Sequence, residues 1–373
     1  MAYNVPVAVL VGNGFDLAAG LQTGTQRLMR EFVHDRLGDS DPIDAEKVEL
    51  DGFPGDRLAL RMLREGVDLW ADYERKIGEY ASDCAPGWTL TERADEYRAA
   101  KDELDGFLLD RLSQEADRLS EEFVVDNAAE CVGSLASWFN GLQPLERRAI
   151  SDAISTTPWA LRYKLVCFNY TPTLERMYLK TKGSPFKPAP GSENGIISSH
   201  QISEFHYAHG MISGIPVAGV DDADQIADDE LSGVLEVQRA VCKPNVLSML
   251  ATGADRDALH AIASSKIVII FGMSMGASDR RWWRAVIDLL KAKPDSFVVI
   301  CAREMSSMRR TPDAYQRIMM SRKAHLFDAA EVPEDDAARD ELSTRIFLLP
   351  SEGIFRFPKP LPAEQSAGGE SSE

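Results

Sequence analysis

The stretch VPVAVLVGNGFDLAAGL, Val5 to Leu21, decides how the rest of the chain is read. Val5 to Val11 is a continuous apolar run, too short to cross a membrane and closed at once by Gly12-Asn13-Gly14, so it reads as a strand buried on both faces. Such strands belong inside parallel sheets. Pro6 fits in the strand's first residues, where a missing donor is tolerated. A strand that breaks into two glycines and then a helix presents backbone N–H groups to a phosphate, because Gly tolerates the turn and lets a ligand come close. On that reading Gly12, Asn13, Gly14, Phe15 and Asp16 are candidate nucleotide contacts, and a Cβ at Gly14 would stand between loop and ligand. The full dinucleotide fingerprint has a third Gly three residues after the second, where this chain has Leu17. A Gly-Asn-Gly turn can equally be a tight corner.

The 373 residues suffice for two or three domain-sized units, and 44% hydrophobic with 27% charged residues is the composition of an ordinary globular protein. A formal net charge of −18 argues against a nucleic-acid or anionic-membrane partner, so a nucleotide must be held by local amides and a few side chains. The N-terminus lacks a basic leader, and no segment approaches the roughly 20 apolar residues of a spanning helix, which makes the expected location cytoplasmic. Cys84, Cys131, Cys167, Cys242 and Cys301 include no Cys-x-x-Cys pair. They give neither a zinc ribbon nor a disulfide framework and read as reduced packing residues.

Thr23 is a candidate N-cap for a helix whose apolar stripe is Leu28, Met29, Phe32 and Val33. Asp39 to Gly55 reads as an irregular connection. From residue 58 to 149 apolar residues recur at helical spacing, among them Met62, Val67, Trp70, Tyr73, Ile77, Leu104, Leu108, Trp138 and Phe139, which predicts a helical insertion in an α/β domain formed by 1–57 and 150–360. Strand character returns at Tyr163 to Phe168, followed by Asn169-Tyr170-Thr171-Pro172 and a helix. Thr181 to Ser199 reads as loop, and Glu204 to Ala208 as a short strand ending in His209-Gly210. Asp221 to Glu230, with six acidic residues in ten, starts a helix or covers a rim. Lys266 to Phe271 repeats the opening grammar, breaking into Gly272-Met273-Ser274-Met275-Gly276 before a helix with Trp282 and Trp283. Ser296 to Ala302 and Arg345 to Leu349 are further strands, and 361–373 reads as a disordered tail.

Strands that alternate with helices and break into glycine or polar loops predict a doubly wound parallel sheet. In such sheets the loops at the strands' C-terminal ends converge on one edge, and ligands bind there at the topological switch point. Gly12 to Asp16, Asn169 to Thr171, His206 to Gly210 and Gly272 to Asp279 are the candidates for a single site.

Taken in order, GNGFDLAAGLQT, CFNYTPTLERMY, FHYAHG with IPVAGVDD, and FGMSMGASDRRWW resemble the signature segments of the bacteriophage abortive infection AbiH family. LWADYE, Leu69 to Glu74, is similar to that family's Trp-and-acid motif, although no role follows from it for Trp70, Asp72 or Glu74. The family in turn resembles sirtuin-like NAD-binding proteins. That resemblance implies a Rossmann-like fold, Gly12 and Gly14 in a phosphate loop, Asn169 on the ribose side and His209 as the catalytic residue. It also implies contacts to the ligand from Asn13, Phe15, Asp16, Tyr170, Thr171, Gly272, Ser274 and Asp279. Two departures bear on chemistry. Thr171 stands where sirtuin-like sequences carry Asp, and Met273 where AbiH relatives often carry His. Without a Cys-x-x-Cys zinc module, deacetylation is set aside and NAD binding or hydrolysis remains.

Cleavage between nicotinamide and ribose builds oxocarbenium-like charge on the sugar, so an enzyme needs a group that fixes the ribose hydroxyls and a base near neutral pH. Asn169 and His209 suit those roles. Each has a plainer alternative, Asn169 as a turn or cap residue before Pro172 and His209 as a histidine satisfied by backbone. Asp16 could orient a ribose hydroxyl or cap its helix, and Asp279 could brace its own loop. His206 and His209 could form a metal pair only if the strand ended between them, since an offset of three puts them on opposite faces; the expectation is no metal. Trp282 and Trp283 read as packing residues, with only one able to face the core or a cleft. Two functions stay open: an NAD glycohydrolase acting in abortive infection, and a catalytically silent nucleotide-binding sensor. A dinucleotide is the expected ligand, and a phage-derived trigger protein and a homo-oligomer are admitted as further partners.

Overall fold

The structure, a computed structural model, describes residues 2–37, 54–84, 87–154, 156–183, 196–251, 253–305, 311–335 and 337–362. Strands β1 (Tyr3–Val11), β2 (Trp159–Cys167), β3 (Ile197–Tyr207), β4 (Ile267–Phe271), β5 (Phe297–Ala302) and β6 (Ile346–Pro350) form one parallel sheet in the order β3-β2-β1-β4-β5-β6. The order reverses between β1 and β4, the two strands that end in glycine loops. This is the doubly wound, Rossmann-like arrangement, and its switch point lies at Gly12 and Gly272. Val7 to Val11 pairs on both sides and is fully buried, as its unbroken apolar run requires. Pro6 lies further inside β1 than expected. Its carbonyl accepts from Lys266 on the β4 side at 2.9 Å, just before β4 pairing begins at Val7, so the missing donor interrupts no ladder there.

The third strand is longer than the expected Glu204 to Ala208, beginning at Ile197 and ending at Tyr207. Its polar first half pairs only with β2, at the sheet edge, where Ser198 and Gln201 stay exposed and the buried His200 is satisfied by the Tyr163 hydroxyl, 2.8 Å from its Nδ1. Residues 184–195 of the expected loop, and 39–53 of the earlier one, lie outside the described residues.

Helices cover both faces. One face is packed by Glu121–Ser134, Trp138–Gly141, Pro144–Ala153 and Thr173–Thr181, through Phe123, Trp138, Phe139, Ile150 and Leu174. The other is packed by Ala254–Ala263, Arg280–Ala292 and Pro312–Ala329, through Ile262, Trp282, Val286 and Phe327. A third core joins Thr25–Leu37, Pro54–Glu65, Trp70–Tyr80 and Leu90–Asp117 with Leu235–Val241. The helical stretch 58–149 is thus divided: its first half builds this third core, and from Leu119 onward its residues pack on the sheet. Helical periodicity shows that a face is buried but not what buries it.

Thr23 does not cap the helix that begins at Thr25. Its hydroxyl donates to Asn13 Oδ1 at 2.6 Å, and its carbonyl accepts from Asn13 Nδ2 at 3.1 Å, which ties the first glycine loop to the third core. Trp282 and Trp283 are both fully buried, because Arg280–Ala292 is enclosed on two sides. Trp282 meets Phe168 and His209 edge-on, and the Trp283 indole donates to the Gly276 carbonyl at 2.9 Å. The tail is anchored at its start: Leu361 N–H donates to Ala19 O and Arg118 to Pro362 O, each at 2.8 Å, while 363–373 lie outside the described residues. All five cysteines are free thiols. No helix among the described residues is long and apolar enough to cross a membrane.

Candidate functional site

A cleft of about 330 Å³ opens at the switch point between the β1 and β4 loops. It is lined by Gly12, Asn13, Gly14 and Asp16, by Asn169, Tyr170 and Thr171, by His209, and by Gly272, Ser274 and Asp279. All four expected loops converge there. Their strands are parallel neighbours, so their C-terminal ends share one edge. Trp70, Ala71 and Glu74 close the cleft from the third core, and Arg303, Arg322 and His325 line it from the segment after β5. These last six are absent from the loop grammar that pointed to the others.

Phe15 is a correction. Its ring is fully buried against Phe271, Phe355 and Phe357, so it anchors the first helix to the core and offers a ligand nothing. Helical geometry turns it away from Asn13 and Asp16, a direction the linear motif leaves open. The role expected of Gly14 also changes. A Cβ there would lie 2.5 Å from Gly272 Cα, and the Gly14 N–H already donates to Gly272 O at 2.9 Å. Gly12 N–H donates to Phe271 O, also at 2.9 Å. The two glycine loops are packed backbone to backbone, and Gly272 takes the left-handed φ of +65° that permits it. These donors hold the loops together and are not turned toward a phosphate.

Asp16 is the most deeply enclosed acid of the cleft. Thr171 Oγ1 donates to its Oδ2 at 2.6 Å and lies 3.0 Å from Thr173 Oγ1, but its Oδ1 is buried without a hydrogen-bond partner. Burial raises its pKa to about 6, against the opposing effect of the Thr171, Thr173 and Asn169 side chains. A carboxylate thus stands beside Thr171, delivered from the first loop and held by the Thr171 hydroxyl. Asn169 is buried beside Asp16, with neither Oδ1 nor Nδ2 in a hydrogen bond of good geometry. It is not a helix cap, since Thr173–Thr181 begins after Pro172 and has no side-chain cap.

His209 follows β3, held by Val217 N–H donating to its carbonyl at 2.8 Å and by the turn at Gly210. Gly210 has φ +77°, and a Cβ on it would lie 2.3 Å from Ile215 O, so only glycine fits. The imidazole stacks edge-on against Phe168 and Trp282, and its Nε2 stands 3.3 Å from Asp279 Oδ1 outside hydrogen-bonding geometry. Burial and then Lys243 lower its pKa to about 3, opposed by Asp279. His206 turns elsewhere, with Nε2 3.1 Å from Glu204, and does not line the cleft.

Behind Asp279 stands a residue that no sequence motif indicated. Lys243 is 1% exposed, and its ammonium donates to Glu74 Oε1 and Oε2 at 2.9 and 3.0 Å and to Asp279 Oδ1 at 2.7 Å. Burial raises the Glu74 pKa, although Lys243 opposes it. For Asp279 burial acts upward too, but Lys243 and His209 outweigh it and leave the carboxyl below its ordinary value. The only local hint was a lysine set among Val241, Cys242 and Pro244. Asp72, by contrast, is a cap: its Oδ2 accepts from Leu69 N–H at 3.2 Å, and its Oδ1 pairs with Arg75. Trp70 donates from its indole to Thr23 O at 3.1 Å and meets Tyr170 edge-on, forming one wall.

Fold and cleft define an α/β protein with a cleft at the switch edge of a parallel sheet, walled by the helices of the third core. The family model for bacteriophage abortive infection AbiH matches residues 9–300, which run from the end of β1 through most of β5 and take in every cleft loop up to Asp279. The chain belongs to the AbiH family and, with it, to antiphage abortive-infection defence. No curated protein matches alongside that model.

Proposed function

We propose that the cleft binds NAD, or a closely related dinucleotide, and hydrolyses the bond between nicotinamide and ribose. The observation that carries this reading is the set of buried polar atoms without partners, Asp16 Oδ1, Asn169 Oδ1 and Nδ2, and His209 Nε2, in one cleft at the switch point. Unpaired buried polar groups cost about 1 to 3 kcal/mol each, and a ligand with hydroxyls to share would remove that cost. Asp16 accepts from one ribose hydroxyl and Asn169 both donates to and accepts from the diol. Together they hold the sugar as the C–N bond to nicotinamide breaks and oxocarbenium charge develops, which the Asp16 carboxylate stabilises. Water then adds to C1 of the ribose and loses its proton to His209, giving nicotinamide and ADP-ribose. Arg303 and Arg322 are the cations at the rim for the phosphates, a part the inward-turned glycine donors leave open.

The low proton affinity of His209 favours a second reading, a nucleotide-binding sensor without turnover, since a base is most effective when its pKa lies near the working pH. Nicotinamide release by purified protein, with NAD measured by mass spectrometry in cells under phage challenge, separates the two. As a hydrolase, the His209→Ala variant loses at least ~100-fold in turnover with little change in dinucleotide affinity, and protection is lost with it. Asn169→Ala weakens both binding and turnover. A wild type that never consumes NAD, with protection surviving His209→Ala, selects the sensor.

A further inference from the structure

Three elements distant in sequence meet around Lys243. Its backbone is pinned, with N–H donating to Val220 O at 2.8 Å beside the parallel bridge of Val220 to Cys242. Glu74 comes from the helix Trp70–Tyr80 of the third core and Asp279 from the loop after β4. The ammonium's three contacts use its three donors, so it has none left for a ligand. Asp279 Oδ1 is shared: it accepts from Lys243 and lies 3.3 Å from His209 Nε2.

We propose that Glu74 and Lys243 are positioning residues for His209: the helical layer supplies Glu74 to seat Lys243, and Lys243 holds Asp279 Oδ1 close to His209 but out of hydrogen-bonding geometry with it, leaving the imidazole Nε2 free to meet the ligand. The proposal rests on the reading of His209 as a group the ligand uses. The charged groups that face His209 are Lys243 and Arg281 on the positive side and Asp279 and Asp255 on the negative, and the rings of Phe168 and Trp282 pack edge-on against it. With Lys243 removed, the freed Asp279 carboxylate is close enough to turn onto Nε2 and form a carboxylate–imidazolium pair. His209 would then bind a proton it otherwise refuses, and its Nε2 would be occupied.

The test is the titration of His209 in full-length protein labelled with ¹⁵N-histidine, read from the imidazole nitrogen shifts and assigned by comparison with His209→Gln. Lys243→Met alone buries two unpaired carboxylates and is at risk of unfolding, so the decisive variant is Glu74→Gln with Lys243→Met, which removes one charge of each sign. In it, the His209 midpoint is expected to rise by at least one pH unit, a tenfold gain in proton affinity, while Lys243→Arg keeps the wild-type titration. An unchanged midpoint in a folded double variant overturns the proposal. So does unfolding of the double variant, which would make the chain a structural strut. Because the shifts are read without NAD, failure of the hydrolase reading leaves this result standing. Calorimetry with NAD on the same variants locates the converse case, in which turnover falls but the titration does not move.

Discussion

At Asp16 burial and chemistry oppose each other. The carboxyl is enclosed, one oxygen is held by Thr171 and the other has no partner, and its pKa stands at about 6 against an ordinary 3.8. A pKa raised by folding means that the folded state binds the proton more tightly, so this group's contribution to stability falls as pH rises from 3.8 to about 6 and stays low above that. Asp16→Asn keeps an acceptor for Thr171 and removes the charge. It is expected to raise stability at pH 8 by on the order of 2 kcal/mol, with the gain vanishing near pH 4, as read by urea unfolding at the two pH values. A loss of stability at pH 8 would show that the Thr171 bond matters more than the buried charge. His209 acts with the opposite sign. Its proton affinity is lowered by folding, so stability held above pH 6.5 is lost as pH falls toward 3. Gly14 makes a different residue-scale prediction, because its Cα faces the Gly272 backbone and not the ligand. Gly14→Ala forces two loops apart and is expected to cost roughly 1 to 3 kcal/mol in denaturant unfolding, whether or not a nucleotide is present. A fully stable Gly14→Ala protein that merely fails to bind would return the glycine to the phosphate role.

At the scale of elements, the helix Trp70–Tyr80 is the part of the third core that closes the cleft. It carries Trp70, Ala71 and Glu74 into the cleft, and Ala71 lies against Gly276, where a Cβ would fall 2.1 Å from the Ala71 Cβ. The same glycine's carbonyl receives the Trp283 indole, so the β4 loop is clamped between a helix of the sheet layer and one of the third core. Gly276 has an extended backbone that alanine adopts without strain, so the effect of Gly276→Ala is on packing alone. Hydrogen–deuterium exchange is expected to quicken in 70–80, dinucleotide affinity to fall by about tenfold, and Ala71→Gly in the same chain to restore much of both. If exchange quickens with affinity intact, the helix is a wall the ligand does not need. The acidic segment Asp221 to Glu230 braces the opposite side. Asp221 accepts from Arg281 N–H, and Asp224 takes both Nη atoms of Arg280 at 2.8 and 3.2 Å. Its six acids are thus partly structural.

Across the whole molecule, the parallel sheet and its ligand edge were legible in the sequence because burial on both faces leaves an unbroken apolar run, and because a chain leaving such a strand must turn through glycine or polar residues. Val5 to Val11, Lys266 to Phe271 and Ser296 to Ala302 carry that signal strongly. The polar half of β3 does not, since an edge strand with solvent on one flank needs no apolar run. The loops holding Asp16, Asn169, His209 and Asp279 were likewise legible, each standing directly after a strand or the loop it enters. Tertiary structure alone decided which way their side chains turn: Phe15 into the core, Gly14 onto Gly272, Asp16 onto Thr171. It alone also joined Glu74 to Lys243 across 169 positions and Lys243 to Asp279 across 36. A local pattern records what each segment buries, through periodicity and turn chemistry. Which charges meet in the interior depends on how whole layers dock, and an ammonium hidden between two carboxylates leaves in the sequence only a lysine among apolar neighbours.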